Sequence, residues 1–148
     1  MRGFTLVELV FVLAILGIVL AIAVPGFERY IERSRIVEAT NAIAEMQKTI
    51  TDTERTTGAL PDDLGDVGFG TRADPWGRPY EYFNLRTSKG NGKARKDKSL
   101  KPLNSDFDLY SVGRDGDSAA SLSSKVSRDD VLRARDGRFV GTAEEFDP

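Results

Sequence analysis

The chain has 148 residues, 40% apolar and 30% charged, with a formal net charge of −2, so no bulk attraction to nucleic acid or acidic lipid is implied. It contains no cysteine and no histidine, which excludes disulfides and thiolate metal sites and removes the commonest general base and zinc ligand. A catalyst built from it would work with Asp, Glu, Lys, Ser or Tyr alone, and neither a G-x-S-x-G nor a P-loop motif is present.

The apolar residues crowd into the start of the chain. Residues 4–24 read FTLVELVFVLAILGIVLAIAV, 21 residues with Glu8 as the single charge. At about 1.5 Å of rise per residue, such a helix crosses a hydrocarbon core about 30 Å thick. A core helix of a globular protein is rarely apolar all round at this length. A secretory signal peptide would have a shorter apolar run followed by a small-x-small cleavage site. Here the run is too long, and Ala21 and Ala23 lead straight into Pro25. A carboxylate at the middle of a bilayer helix costs about 2.5–3.5 kcal/mol. Glu8 therefore reads either as a tolerated interfacial acid or as a charge awaiting a partner.

Gly3-Phe4-Thr5-Leu6-Val7-Glu8-Leu9 resembles the cleavage and methylation signature of type IV prepilins and pseudopilins, and the likeness continues to Pro25. The resemblance implies that a membrane prepilin peptidase cuts after Gly3, where the absent side chain lets an enzyme approach the backbone. Phe4 becomes the new, N-methylated terminus. Residues 1–3 are then a leader, short for the family, so either the true start lies upstream or the leader is minimal. The resemblance also implies that Glu8 neutralises the α-amino group of Phe4 in a neighbouring subunit, which relieves its cost in lipid and fixes axial register. Pro25 lacks an N–H and its ring clashes with the carbonyl of Ala21, so with Gly26 it marks a bend site. The family uses this region as a kink or a locally melted stretch. Counting Lys and Arg places the C-terminal side inside, because Arg29, Arg33 and Arg35 follow the helix and only Arg2 precedes it. The resemblance implies the reverse: a single pass through the inner membrane, the head in the periplasm and the assembled filament periplasmic or extracellular.

Beyond the membrane segment, Ile36, Ala39, Ile43, Met46 and Ile50 recur at spacings of three and four, one face of an amphipathic helix. The stripe is about two heptads long, short of the three or four that argue a coiled coil, so it packs on a head. The helix divides into a membrane and filament-core half, 4–27, and an amphipathic half, 28–53. Gly58, Pro61 and Gly65 end it. Residues 54–148 form the head. Turn chemistry at 74–79 places Trp76 at a core edge. Tyr80–Phe83 has strand composition, Lys89–Gly92 is a turn, and Phe107–Val112 alternates as a second strand. Ser127 reads as an N-cap, with Asp129 and Asp130 in the first turn of a short helix over Val131–Ala134. Phe139-Val140 is a final short strand. The fold class is α+β: a long N-terminal helix packed on a small antiparallel sheet, with a C-terminal loop.

Asp74-Pro75-Trp76-Gly77, then Asp108-Leu109-Tyr110-Ser111 with Gly113-Arg114-Asp115-Gly116, resembles the head of the major pseudopilin of type II secretion over roughly residues 74–117. That likeness implies calcium in the loop after the last long strand. Calcium takes six to eight oxygens, and Asp115, Asp117, Asp129 and Asp130 are the donors on offer. Their spacing is not that of an EF-hand. Taken without the resemblance, Asp115-Gly116 is an ordinary turn and Asp129-Asp130 a helix start. Two departures stand out: Ser118–Leu122 replaces a Gly-rich stretch, and a longer basic segment precedes the Asp108 strand. That segment carries Lys89, Lys93, Arg95, Lys96, Lys98 and Lys101 with no aromatic interleaved, which favours a solvated loop over a nucleic-acid platform. The alternative is that it complements an acidic surface of a neighbouring subunit around Asp62, Asp63 and Asp66, and the sequence does not choose between them.

These features describe a structural subunit of a helical filament, extended by heterologous contacts that do not close. The implied partners are further copies, other pilins or pseudopilins, the prepilin peptidase, inner-membrane assembly proteins, and lipid before assembly. The absence of cysteine departs from the disulfide-closed loop of many pilins and favours a type II secretion pseudopilin whose assembly drives protein export. A type IV pilus subunit, major or minor, for adhesion, motility or DNA uptake is the alternative.

Overall fold

The computed structural model describes residues 3–87 and 94–147. They form two compact units, Met1–Ser34 and Arg35–Pro148.

The first unit is the opening stretch of α1, a helix assigned over Leu6–Thr57. It starts behind Thr5 and passes Pro25 without a break in helical assignment. Among the described residues α1 is the one helix long and apolar enough to cross a membrane, and none of its most apolar window is buried. Large side chains such as Leu6, Phe11, Leu16 and Ile22 stand exposed over its whole circumference, as expected of a surface whose solvent is not water.

In the second unit α1 becomes amphipathic as its spacing predicts. Ala39, Ile43, Met46 and Ile50 are buried, with Ala42 beside them and Ile36 partly buried. The helix runs four residues past the expected stop at Thr53. Gly58, at φ +80°, then turns the chain, its N–H donating to the Glu54 carbonyl at 2.8 Å, the left-handed stop that a side chain disfavours.

Among the described residues four strands follow: β1 (Glu81–Asn84), β2 (Phe107–Ser111), β3 (Val131–Ala134) and β4 (Phe139–Thr142). They lie in the order β1-β2-β3-β4, every pair antiparallel. A short helix, α2 (Ala143–Phe146), closes the chain behind a Thr142/Glu145 capping box. The α+β class, the long helix and the antiparallel sheet are as expected. The helix expected over Val131–Ala134 is instead the interior strand β3. All four of its residues are buried, and a helix packed on one side leaves a face in water. Ser127 caps no helix there; its hydroxyl accepts from the Ala119 N–H at 2.8 Å and donates to the Ala119 carbonyl at 3.0 Å.

Alternation along β2 and β3 explains why both sheet faces are dry. Phe107, Leu109 and Val131 face α1 and join Ile43, Met46 and Ile50 in one core. Leu132 and Ala134 point the other way, into a second cluster with Leu103, Leu122 and Ala143. That outer layer is built from the segment expected to be a solvated basic loop. Arg95 is 3% exposed and Ala94 fully buried, whereas Lys98 and Lys101 are exposed. Backbone bonds from Lys96 N to Ala120 O at 2.7 Å and from Leu122 N to Lys96 O at 2.9 Å sew this segment to residues 118–127. Lys89, Lys93 and the expected turn at Lys89–Gly92 lie outside the described residues.

Candidate functional site

At two sites a sequence motif coincides with specific geometry. The first is the start of α1. Gly3 and Phe4 are exposed, and a Cβ built on Gly3 meets nothing within 4 Å, so the peptide bond between them is open to an enzyme. Glu8 does not hang free. Its carboxylate accepts from the Thr5 N–H at 2.9 Å and the Thr5 hydroxyl at 2.8 Å, while the Glu8 N–H donates to the same hydroxyl at 3.3 Å. That is a capping box, which satisfies donors a helix start leaves open. Pro25 sits inside α1, where its missing N–H removes one rung of the helix.

The second site joins the two halves of the 74–117 motif. Asp74 is buried, and one of its oxygens accepts from the N–H groups of Trp76 (3.0 Å) and Arg78 (2.8 Å) to hold the Asp-Pro-Trp-Gly turn. Its other oxygen accepts from the Ser111 hydroxyl at 2.5 Å, which in turn accepts from the Gly113 N–H at 3.1 Å. Arg78 completes the clamp by donating to the Gly113 carbonyl at 2.7 Å. Gly113 is at φ +66°, and a Cβ there would collide with the backbone carbonyl of Asp129. Gly113→Ala combines left-handed strain with that clash, so it destabilises the head by at least about 2 kcal/mol. Thermal unfolding followed by Trp76 emission measures it.

The four carboxylates considered for calcium do not converge. No group of three or more acidic side chains able to hold a metal occurs among the described residues. Asp115 accepts from the Asp117 N–H at 2.9 Å, and Asp129 accepts from the Asp115 N–H at 2.9 Å, so both serve turns. Asp130 is fully buried and faces Arg95 at 2.5 Å. Burial pushes its carboxyl up to about 6, while Arg95 and the Ser118 hydroxyl pull the other way. The donor set does not fit a cation that needs six to eight oxygens.

Comparison with known proteins agrees with the helix start. Residues 1–24 match the family model described as the prokaryotic N-terminal methylation motif. A fimbrial protein of Neisseria meningitidis serogroup A is 27% identical over 148 residues, covering 96% of this chain and 84% of that protein. Fimbrial protein EcpC of Eikenella corrodens is 37% identical over 67 residues, 45% of this chain and 44% of that protein. The type IV major fimbrial protein FimA of Dichelobacter nodosus is 43% identical over 49 residues, 33% of this chain and 31% of that protein. The start of the chain thus carries the prokaryotic N-terminal methylation motif, and the chain is similar to type IV fimbrial proteins. It spans under half the length of EcpC and under a third of FimA in those matches, and no solved structure matches it. An apolar helix of membrane-spanning length that begins in a methylation motif suits a membrane-anchored, pilin-like chain.

Two further features of this helix start are legible in the sequence. Thr5-x-x-Glu8 is a capping-box spacing, masked by the stronger signal of an acid inside an apolar run. The five leucines of that run, Leu6, Leu9, Leu13, Leu16 and Leu20, alternate at spacings of three and four. They therefore lie along one helix face, all exposed. Period 3.5 is the period of a helix packed along a seam against another helix.

Proposed function

We propose that the chain is a structural subunit of a type IV pilus. In this reading the peptidase cuts between Gly3 and Phe4, the new terminus is methylated, and α1 holds the subunit in the inner membrane with the head in the periplasm. Extraction then packs the helices into the core of an extracellular filament whose open, heterologous contacts let it grow. The observation that carries the reading is the exposed, membrane-length apolar stretch that opens α1, whose single acid lies four residues behind Phe4. An apolar surface of that extent is stable only in lipid or among other helices. The nearly full-length match to a fimbrial protein supports a pilus over a secretion filament.

A secretion subunit is the second reading, supported by the Asp74–Ser111–Gly113 wiring of the 74–117 motif. Deletion of the gene separates them: a pilus subunit leaves cells without surface filaments, and a secretion subunit leaves exported proteins trapped in the periplasm. The processing step has its own test. Intact mass of the protein from cells should show a chain beginning at Phe4 and carrying one added methyl group. A chain recovered from cells with Met1 in place and no attachment to the envelope overturns the proposal.

A further inference from the structure

The outer layer of the head is organised around one buried guanidinium. Arg95 comes from the basic segment, yet it is 3% exposed. Its guanidinium donates to Asp130 at 2.5 Å and to the Ser118 hydroxyl, which itself donates to the same Asp130 oxygen at 2.7 Å. Its ring-facing side lies 4.3 Å from the centroid of Tyr110 on β2, a cation–π geometry strengthened by loss of water. Its backbone N–H donates to Asp108 at 2.7 Å, and Asn104 donates to the other Asp108 oxygen at 2.9 Å. One residue thus ties together β2, the stretch before β3 and the loop after the Gly113 turn.

We propose that Arg95 is the built-in cation of this head: its guanidinium takes the carboxylate on which a divalent metal in the 113–130 loop would depend, and closes that loop on the sheet without metal. Three features support it. Asp130, the most buried of the four loop carboxylates, is paired to Arg95 at contact distance. Asp115 and Asp129 each have one oxygen engaged by a backbone N–H that holds the loop's turns. A guanidinium is planar and always charged, so it supplies a fixed cation at any physiological pH. The segment that delivers Arg95 is also the one that covers the second sheet face, so loop closure and layer formation are one event. The proposal holds whether the filament serves a pilus or secretion.

The pair is not fully satisfied, since Arg95 Nε and Asp130 Oδ1 have no hydrogen-bond partner among the described residues. A buried pair of this kind is costly to break from one side and cheap to replace as a whole. The test uses the full chain in detergent, with head unfolding followed by Trp76 emission. Millimolar calcium and excess chelator should leave the melting temperature of the wild type unchanged. Arg95→Met should lower it by more than about 10 °C, because Asp130 is left buried and unpaired. Arg95→Met combined with Asp130→Leu should recover most of that loss. A fall on chelation, a rise with calcium, an Arg95→Met variant as stable as wild type, or a double variant no better than the single one would each overturn the proposal.

Discussion

Arg133→Met should lower the stability of the head by about 3–5 kcal/mol, the range for removing one member of a buried ion pair. Arg133 sits on β3 with almost no exposure, and its two terminal nitrogens each lie 2.7 Å from an oxygen of Asp106. The same guanidinium donates to the Phe107 carbonyl at 2.8 Å and to Gln47 of α1 at 3.2 Å, and lies 3.9 Å from the Phe107 ring centroid. It therefore links helix, sheet and the entry to β2. Methionine keeps the bulk and loses five interactions at once, leaving Asp106 without its partner. Arg133→Lys keeps charge but not the planar fork and should fall between the two. Burial acts to raise Asp106, but the bonds from Arg133 and the Phe107 N–H outweigh it, and the net shift is downward from 3.8. A carboxyl lowered in the folded state contributes stability above its unfolded value and loses it as pH falls through its folded one. The difference between Arg133→Met and wild type should accordingly shrink once the pH drops below about 4. A denaturant series at pH 7 and pH 3 measures both effects. Equal stability of variant and wild type at pH 7 would remove Arg133 from this role.

The legible parts of the fold were those with one wet face. Ile36, Ala39, Ile43, Met46 and Ile50 gave α1 its course in the head because polar residues fill the opposite side. β2 was visible for a different reason: Phe107–Val112 opens on the alternation Phe107-Asp108-Leu109 and carries a second aromatic, Tyr110. β3 was not, because a strand buried on both faces has no alternation to show, and Asp129-Asp130 in front of it imitates a helix start. The outer layer was hidden by composition. A run of Lys and Arg reads as a solvated loop, and nothing in sequence distinguishes the one arginine that turns inward from the lysines that do not. The loop carboxylates were similarly ambiguous. Four acids within sixteen positions suggest a cation, but chain proximity does not reveal that Asp130 faces Arg95 while Asp115 and Asp129 serve turns.

The helix start poses a sharper question, because the structure gives Glu8 a local role that competes with the intersubunit one. If Glu8 served only the capping box, Thr5→Ala and Glu8→Ala would be near equivalents, each worth about 1 kcal/mol at one helix end. That is too little to unmake a filament held by a whole apolar helix. If Glu8 also neutralises the amino terminus of a neighbour, its charge matters and its hydrogen bonds to Thr5 do not. Glu8→Gln separates the two, since glutamine at this position retains the reciprocal cap and removes the charge. We expect Glu8→Gln and Glu8→Ala to insert into the membrane normally and to abolish filaments, with Thr5→Ala assembling close to wild type. Electron microscopy of sheared surface filaments, with membrane fractionation as the insertion control, reads all three. Filaments from Glu8→Gln at wild-type yield would confine Glu8 to the cap. Loss of filaments in Thr5→Ala alone would make the cap itself the assembly determinant.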